Sequence, residues 1–183
     1  MTRVCLRKAH GAAFTDVRVP FAEWGALKAS GYAPLGQLPV VEVEGGVYTQ
    51  SIPMSAFAAK LAGLYPTTPL EALKADEVVA VVDDVWNKLG GTPKDEKARV
   101  AFAEEVAPKF LKFLAARLGS GPFFAGAAPG WADLWCYQFV SFSTSGFFDH
   151  VPKDYVARHA PALAAHCEAV RASELYLAHG KPE

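Results

Sequence analysis

Two neighbouring segments hold the residues whose types and spacing best suit chemistry on a ligand. Residues 36–43 read GQLPVVEV, and Gln50-Ser51 follows after a short turn. Pro39 cannot donate a ladder hydrogen bond, so it belongs at a strand start or edge. In a cis peptide it would turn the backbone N–H and C=O of Leu38 outward, where an extended peptide can pair with them. Ser51 falls at a predicted helix N-terminus, where its hydroxyl and the free amides of the first turn suit a carboxylate.

Other reactive side chains are scattered singly along the chain. Cys5, Cys136 and Cys167 form no CxxC pair and no even-numbered framework, so we expect reduced thiols and no thiol–disulfide oxidoreductase. Cys5 lies inside a predicted helix with no strand before it, which favours a core thiol. His159 and His166-Cys167 lack further ligands at metal spacing, so we predict packing or surface roles and no metal.

Asp133 is an acidic residue in an otherwise apolar stretch, three residues after Gly130. A carboxylate in the first turn of a helix can satisfy free amides there. We therefore predict a structural, helix-capping role for Asp133 and no part in catalysis.

Composition excludes several classes of protein. The chain has 183 residues, a formal net charge of -1 and 51% hydrophobic residues, which excludes a disordered chain. The near-neutral charge, without a basic stripe, argues against nucleic acid as a partner. The uncharged stretch 134–148 is too short to span a bilayer, and residues 1–10 lack the apolar core of a signal peptide. We expect a cytoplasmic protein with no membrane partner.

The N-terminal third of the chain, which must position residues 36–43 and Gln50-Ser51, is predicted to contain both helices and strands. In chain order the patterns predict a helix end before Gly11, a strand (Phe14–Val19), a loop with Trp24 and Lys28, two strands (Leu38–Val43 and Val47–Thr49) and a helix from Gln50-Ser51 to Ala62. Gly45-Gly46, between the last two strands, can take the positive φ angles of a tight hairpin.

The remainder of the chain is predicted to be helical. Gly63–Pro69 contains two prolines and no periodicity, so we place a linker there, between domains 1–66 and 67–183. Beyond it, apolar residues recur at helical spacing, and residues 131–142 are apolar on nearly all sides. Pro108 is expected either to kink the second of these helices or to mark its irregular start. These stripes comprise Val78, Val82, Val85, Trp86 and Leu89, then Phe110, Phe113, Leu114 and Leu118, and in the final helix Leu163, Cys167 and Val170.

With these segments assembled, the sequence resembles the glutathione transferases, and within them the sigma class that includes the haematopoietic prostaglandin D synthases. The resemblance covers almost the whole chain, and its ordered set of motifs and the GQLP-to-QS spacing make it specific. It is carried by FAEWGALK (Phe21–Lys28), GQLPVVEV, TQSIPMSAFAAKLAGLYP (Thr49–Pro66), FFAG (Phe123–Gly126) and WAD (Trp131–Asp133). The fold it implies is α+β: a thioredoxin-like N-terminal domain, here without its first strand, followed by an all-α bundle.

The resemblance also implies a glutathione site. Its residues would be Trp24, Lys28, Gly36, Gln37, Leu38, Pro39, Gln50 and Ser51. In the family pattern, Trp24 and Lys28 contact the glycine end, the Leu38 backbone before cis-Pro39 binds the cysteinyl amide, and Gln50-Ser51 holds the γ-glutamyl carboxylate.

One residue of the family site comes from the partner subunit, and it departs from the family pattern here. The acidic residue of the family falls at Asn87, which can bond the γ-glutamyl amine but adds no charge. Of the aspartates at the sigma-class metal site, only Asp83 remains, so no metal is carried over.

The family's catalytic tyrosine is missing from this sequence. In the family, this tyrosine ends the first strand, and its hydroxyl favours the thiolate form of glutathione. Lowering the pKa of a thiol by two units from about 8.5 needs about 2.7 kcal/mol. By alignment Met1 already lies within the first helix, so the strand, the tyrosine and the arginine of the next turn fall outside the chain. Either the first residue is internal to a longer natural chain, which we favour, or the protein is a shortened relative.

Two functions follow as hypotheses. The first is a homodimeric glutathione transferase of the detoxification type, with glutathione as co-substrate. It would conjugate or isomerise a hydrophobic electrophile between the domains, with Trp86 and Leu89 as walls, and would turn over poorly in this 183-residue form. The alternative is a non-catalytic binding or scaffold protein of the same fold. The absent tyrosine and Asn87 favour the alternative, whereas the otherwise complete binding set disfavours it.

Overall fold

Helices dominate the structure, a computed structural model that describes residues 1–9 and 14–180. In chain order its elements are α1 (Thr2–Lys8), α2 (Phe21–Ala29), β1 (Val41–Val43), β2 (Gly46–Tyr48), α3 (Ser51–Leu61), α4 (Pro69–Gly91), α5 (Glu96–Ala101), a π-helical turn (Phe102–Val106), α6 (Ala107–Leu118), α7 (Trp131–Ser143), α8 (Tyr155–His159), α9 (Pro161–Ala172) and α10 (Glu174–His179). The predicted opening helix is confirmed as α1, while its predicted stop at Gly11 lies outside the described residues.

The predicted hairpin is confirmed, with its turn moved by one residue. β1 and β2 pair antiparallel, with Val41 opposite Tyr48 and Val43 opposite Gly46. Because Gly46 already pairs, the two turn residues are Glu44 and Gly45, whose φ angles are 50° and 76°. Positive φ at both central positions gives the turn whose twist matches that of the flanking strands.

The predicted strand Phe14–Val19 is wrong. Residues 14–20 have no regular structure, and the side chain of Val17 is 72% exposed. A strand requires a hydrogen-bonded partner, and within the described residues the one named sheet consists of β1 paired with β2. Alternation alone therefore did not make a strand here. The strand predicted from Leu38 likewise begins only at Val41, after a cis peptide bond between Leu38 and Pro39.

The segment with Trp24 and Lys28, predicted as a loop, is a helix. α2 starts after Pro20 and buries none of its residues. A helix with no buried face leaves no amphipathic stripe in the sequence, and Gly25 near its middle lowers its helix propensity further. The periodicity of apolar residues therefore could not indicate a helix at α2.

The break between the mixed part and the helical part falls where it was predicted. α3 ends at Leu61, and α4 begins at Pro69, where the Thr68 hydroxyl accepts a hydrogen bond from the Glu71 N–H at 3.3 Å. Proline in the first helical turn removes an amide that would have no partner there. The division into domains 1–66 and 67–183 remains a prediction.

The main core lies in the helical part. α4 packs against α6 and α7, and α7 packs against α9. The largest fully buried side chains include Trp131, Phe102, Phe139, Leu111, Leu114, Leu163 and Tyr155. The central helix predicted at 131–142 is thus confirmed, and the predicted irregularity before Pro108 is a π-helical turn. The helix of Leu163 is not the last, because α10 follows it. No described helix is both long and apolar enough to cross a membrane.

Candidate functional site

An open cleft of about 540 Å³ lies between the start of α2 and the chain that leads into β1. It is lined by Val19, Phe21, Trp24, Gly36, Gln37 and Leu38. Four of these, from Trp24 to Leu38, belong to the predicted glutathione set, so the structure brings half of that set together. Val19 and Phe21 were missed, although Phe21 opens the FAEWGALK segment and its 95% exposure marks it as an available contact.

Lys28 lies along Gly36, which lines the cleft, although Lys28 is not itself one of the lining residues. The residue is one helical turn after Trp24 on α2, so both project from one face of that helix. Lys28 Cε is 2.9 Å from the position that a Cβ of residue 36 would occupy, and Gly36 has a φ of 60°. Glycine at position 36 is thus favoured by its backbone angle, and a Cβ there would displace the exposed Lys28 side chain from its place along Gly36.

The loop between α2 and β1 is tied to the hairpin. The Tyr32 hydroxyl donates to Glu42 Oε2 at 3.2 Å, and the Gly36 N–H donates to the Ala33 carbonyl at 2.7 Å. The hydrogen bond to the Glu42 carboxylate raises the pKa of Tyr32, so the phenol stays protonated as the donor. Ala33 is buried. These contacts hold the Gly36-Gln37 turn against β1.

The hairpin brings Leu38-Pro39 and Gln50-Ser51 to one end of the sheet. Val41 pairs with Tyr48, so Pro39 lies two residues before a paired position and Gln50 lies two residues after it. The cis Leu38–Pro39 peptide is present, and Leu38 is 41% exposed. Gln50 and Ser51 are both exposed, although neither lines the cleft itself.

Ser51 lies at the N-terminus of α3, as predicted, but it is not the N-cap residue. Gln50 occupies the N-cap position with a φ of 73°, its side chain makes no capping hydrogen bond, and Ser51 is the first helical residue. The amides of the first turn of α3 have no partner within the helix and remain suited to an anion. The carboxylate site predicted here remains a prediction, with these amides and the exposed Ser51 beside one another.

The residues predicted on α4 divide between surface and core. Asn87 is exposed, and its amide donates to Asp83 Oδ2 at 2.9 Å. Trp86 is half-buried and stacks on Phe142 with 5.5 Å between ring centroids, so it retains surface that could contact a ligand. Leu89 is fully buried, which excludes it as a cleft wall.

Asp133 has the predicted helix-capping role, and its carboxylate also contacts two residues that were not predicted, Phe124 and His166. Its Oδ2 accepts from the Gly130 N–H at 2.8 Å, while its Oδ1 accepts from the Phe124 N–H and lies 2.9 Å from His166 Nε2. Asp133 and His166 are both buried. The carboxylate therefore joins the loop before α7 to α9, and the packing role predicted for His166 is confirmed.

The three thiols are core residues. Cys5, Cys136 and Cys167 are free and buried, and desolvation raises the pKa of Cys5 to about 11 and that of Cys167 to about 12. Burial also raises the pKa of Cys136 well above its ordinary value. A protonated, inaccessible thiol is neither a nucleophile nor a metal ligand. Among the described residues, no three or more His, Cys, Asp or Glu side chains are placed to hold a metal ion.

A helical bundle next to a short hairpin, with a cis-proline peptide beside a helix N-terminus, defines the class of fold, and comparisons with known proteins define the family. Residues 81–175 match the family described as Glutathione S-transferase, C-terminal domain. Glutathione S-transferase S1 of Drosophila melanogaster is 35% identical over 169 residues, covering 88% of this chain and 65% of that protein. Hematopoietic prostaglandin D synthase of Mus musculus is 31% identical over 147 residues, covering 76% of this chain and 73% of that protein.

The chain therefore belongs to the glutathione S-transferase family, and its relatives are of the sigma-like type. The solved structure of rat hPGDS complexed with a quinoline shares its fold, with a TM-score of 0.79 at 24% identity over 99% of this chain and 90% of that one. The predicted α+β class, with a thioredoxin-like part and a helical bundle, is confirmed. The matched part of this chain spans 65% of the length of the Drosophila relative, which is less than two thirds.

Proposed function

We propose that this protein is a glutathione transferase that joins the sulfur of glutathione to a hydrophobic electrophile or uses it to isomerise one. The observation that supports this most is the cleft in which Trp24, Gly36, Gln37 and Leu38 meet, with the cis-Pro39 peptide at its edge. A cleft lined by exposed backbone and two aromatic rings, those of Phe21 and Trp24, suits a short peptide better than a metal or a nucleotide. The named activities of the relatives agree with this choice.

Each part of the tripeptide would have its own partner. The Leu38 backbone N–H and C=O would pair with the cysteinyl residue, as one strand pairs with another. The Lys28 ammonium, beside Trp24, would meet the glycine carboxylate. The first-turn amides of α3, with Gln50, would hold the γ-glutamyl carboxylate, to which the helix dipole contributes about 0.3–1 kcal/mol.

The reaction needs a hydrogen-bond donor that stabilises the thiolate of glutathione, in addition to the residues that bind the tripeptide. No hydroxyl donor is found among the residues that line the cleft, and the three cysteines are buried. The described residues therefore bind and orient glutathione, while stabilisation of its thiolate needs a donor from elsewhere. Binding and turnover must accordingly be measured separately.

We further propose a cytoplasmic homodimer whose two domains, 1–66 and 67–183, each contribute to the interface. Support comes from large apolar side chains exposed on α3 and α4: Phe57, Leu61, Leu70 and Leu73. Large exposed apolar residues on two consecutive helices are typical of subunit contacts. Asn87, on α4, would then reach the γ-glutamyl group bound by the other subunit. Sedimentation equilibrium of the chain and of Leu70→Glu with Leu73→Glu tests the dimer, which the double substitution should dissociate.

Calorimetric titration with glutathione tests the site. Trp24→Ala should weaken binding about tenfold, and Lys28→Gln about twofold to fivefold, with the Lys28 effect shrinking as salt is raised. Lys97→Gln, an exposed lysine on α5, is the matched control and should leave the affinity unchanged. Absence of glutathione binding would contradict the proposal. Binding without turnover of an aromatic electrophile would instead favour a non-catalytic binding protein.

A further inference from the structure

The lining residues of the candidate cleft come from two stretches of chain that are held in different ways. Residues 36–38 are tied to the hairpin through the hydrogen bond between Tyr32 and Glu42. The other stretch joins segment 14–20 to the start of α2 and contributes Val19, Phe21 and Trp24. The width of the cleft therefore depends on what holds segment 14–20 in place.

Backbone hydrogen bonds and burial do little to fix segment 14–20. It has no regular structure, and among the described residues no backbone hydrogen bond involves residues 14–19. Val17 is 72% exposed, while Phe14 and Val19 are half-buried. An unpaired backbone with few apolar contacts is typical of a segment that opens at little cost. Polar side chains must therefore supply much of the restraint.

Asp16 supplies this restraint with both oxygens of its carboxylate. Its Oδ1 accepts a hydrogen bond from Arg3 Nε at 2.8 Å, and its Oδ2 accepts one from Arg18 Nε at 2.9 Å. Arg3 lies on α1, which packs against α3. The hydrogen bonds from Arg3 and Arg18 hold the pKa of Asp16 below its ordinary value of 3.8, so the carboxylate is charged at neutral pH. The ion bridge thus joins segment 14–20 to packed helices.

We propose that Asp16 is a positioning residue for the glutathione cleft, which it shapes by fixing segment 14–20. The segment carries Val19, which is three residues after Asp16 and at most about 11 Å of chain away. If Asp16 loses its arginines, Val19 can move relative to residues 36–38 and the cleft loses its set width. Asp16 does not itself line the cleft, so it acts through Val19. This inference rests on the proposed function, since the ligand is glutathione.

Calorimetric titration with glutathione tests the inference. Asp16→Asn keeps the size of the side chain and removes its charge, so it should weaken binding about twofold to fivefold. Asp16→Glu keeps the carboxylate and should restore most of the affinity. Because the ion bridge is exposed, the difference between Asp16→Asn and the wild type should shrink at high salt. Glu77→Gln is the matched control: Glu77 also binds an arginine, Arg117, but lies on α4, which contributes no residue to the cleft.

A charge exchange separates the ion bridge from other effects of substitution at position 16. Arg3→Glu with Arg18→Glu should weaken binding at least as much as Asp16→Asn does. Adding Asp16→Arg should restore binding, because both pairs again have opposite charges. Unfolding midpoints should differ little between Asp16→Asn and the wild type, since exposed ion pairs contribute little stability. Equal affinity of Asp16→Asn and the wild type, or no recovery in the exchanged variant, would overturn the inference.

Hydrogen exchange measures the restraint without any ligand. The Glu23 and Trp24 amides donate to the Pro20 carbonyl at 3.0 and 3.2 Å, so they report on the junction between segment 14–20 and α2. In Asp16→Asn these amides should exchange faster, whereas the amides of α7 should be unchanged. If the wild type binds no glutathione, the proposed function fails, while faster exchange would still support positioning of the cleft by Asp16. Unchanged exchange would overturn the inference whether or not glutathione binds.

Discussion

The indole N–H of Trp131 donates a hydrogen bond to the Ser55 hydroxyl at 3.1 Å, and both residues are buried. The indole of Trp135, one turn further along α7, donates to the same oxygen at 3.1 Å. Ser55 lies on α3 and the two tryptophans lie on α7. A single serine oxygen thus joins the part of the chain that holds the hairpin to the helical bundle.

Ser55→Ala should lower the free energy of unfolding by about 2–4 kcal/mol, because it leaves two buried N–H groups without an acceptor. Urea unfolding followed by tryptophan fluorescence measures the loss. Ser30→Ala is the control, since Ser30 is exposed and its hydroxyl bonds only neighbours in the chain, donating to the Leu27 carbonyl and accepting from the Tyr32 N–H. Equal midpoints for the two variants would show that the shared oxygen contributes no stability.

Asp133→Ala should cost at least about 3 kcal/mol of stability, because it removes the acceptor for two backbone amides and the partner of buried His166. Asp83→Ala, which removes only the contact with exposed Asn87, should change stability by about 0.5 kcal/mol or less. Thermal unfolding by circular dichroism compares them. A similar small effect for both would contradict the structural role of Asp133.

The stability contributed by Glu104 should depend on pH. Arg158 donates two hydrogen bonds to its carboxylate, and His159 lies 3.0 Å away; these partners hold the pKa of Glu104 at about 2, against an ordinary value of 4.5. Because the pKa is lowered in the folded state, the contribution is complete above pH 4.5 and is lost as the pH falls towards 2.

Unfolding midpoints of the wild type and Glu104→Gln, measured across that range, should therefore differ at neutral pH and converge in acid. Glu105→Gln, at the exposed neighbouring position, should follow the wild type throughout. A difference that stays constant down to pH 2 would refute the assigned cause.

The three cysteines should be unreactive in the folded protein. With a pKa of about 11 for Cys5, about 12 for Cys167 and a raised value for Cys136, the thiolate fraction at neutral pH is below about one in a thousand. A thiol reagent such as dithiobisnitrobenzoate should label none of them in buffer and all three in guanidinium chloride. Rapid labelling of one thiol in the native protein would place that residue at the surface.

Gly36→Ala should weaken glutathione binding and lower the melting temperature. The new Cβ would lie 2.9 Å from Lys28 Cε, and a φ of 60° costs an L-residue about 1–2 kcal/mol. Gly25→Ala is the matched control, because Gly25 lies within α2 with nothing near its Cβ position and should gain up to about 1 kcal/mol. Normal affinity in Gly36→Ala would show that Lys28 packing on Gly36 does not shape the site.

The sequence predicted some helices of this protein and not others, depending on how much of each helix is buried. α7 was predictable, because a helix buried on all sides has a long apolar run, and the break before α4 was predictable from its prolines. α2 was not, because it buries nothing and so leaves no periodicity. Phe14–Val19 shows the opposite error, since alternation can be read from one segment but a strand exists only with its partner.

The sequence by itself determined the family, the hairpin and the identity of the candidate binding residues, because these depend on local residue types and their order. Tertiary structure decided which of those residues meet. It placed Trp24, Gly36 and Leu38 around one cleft, removed Leu89 from any cleft wall and buried the thiols. Contacts between residues distant in the chain depend on how helices pack, and no local pattern contains that information.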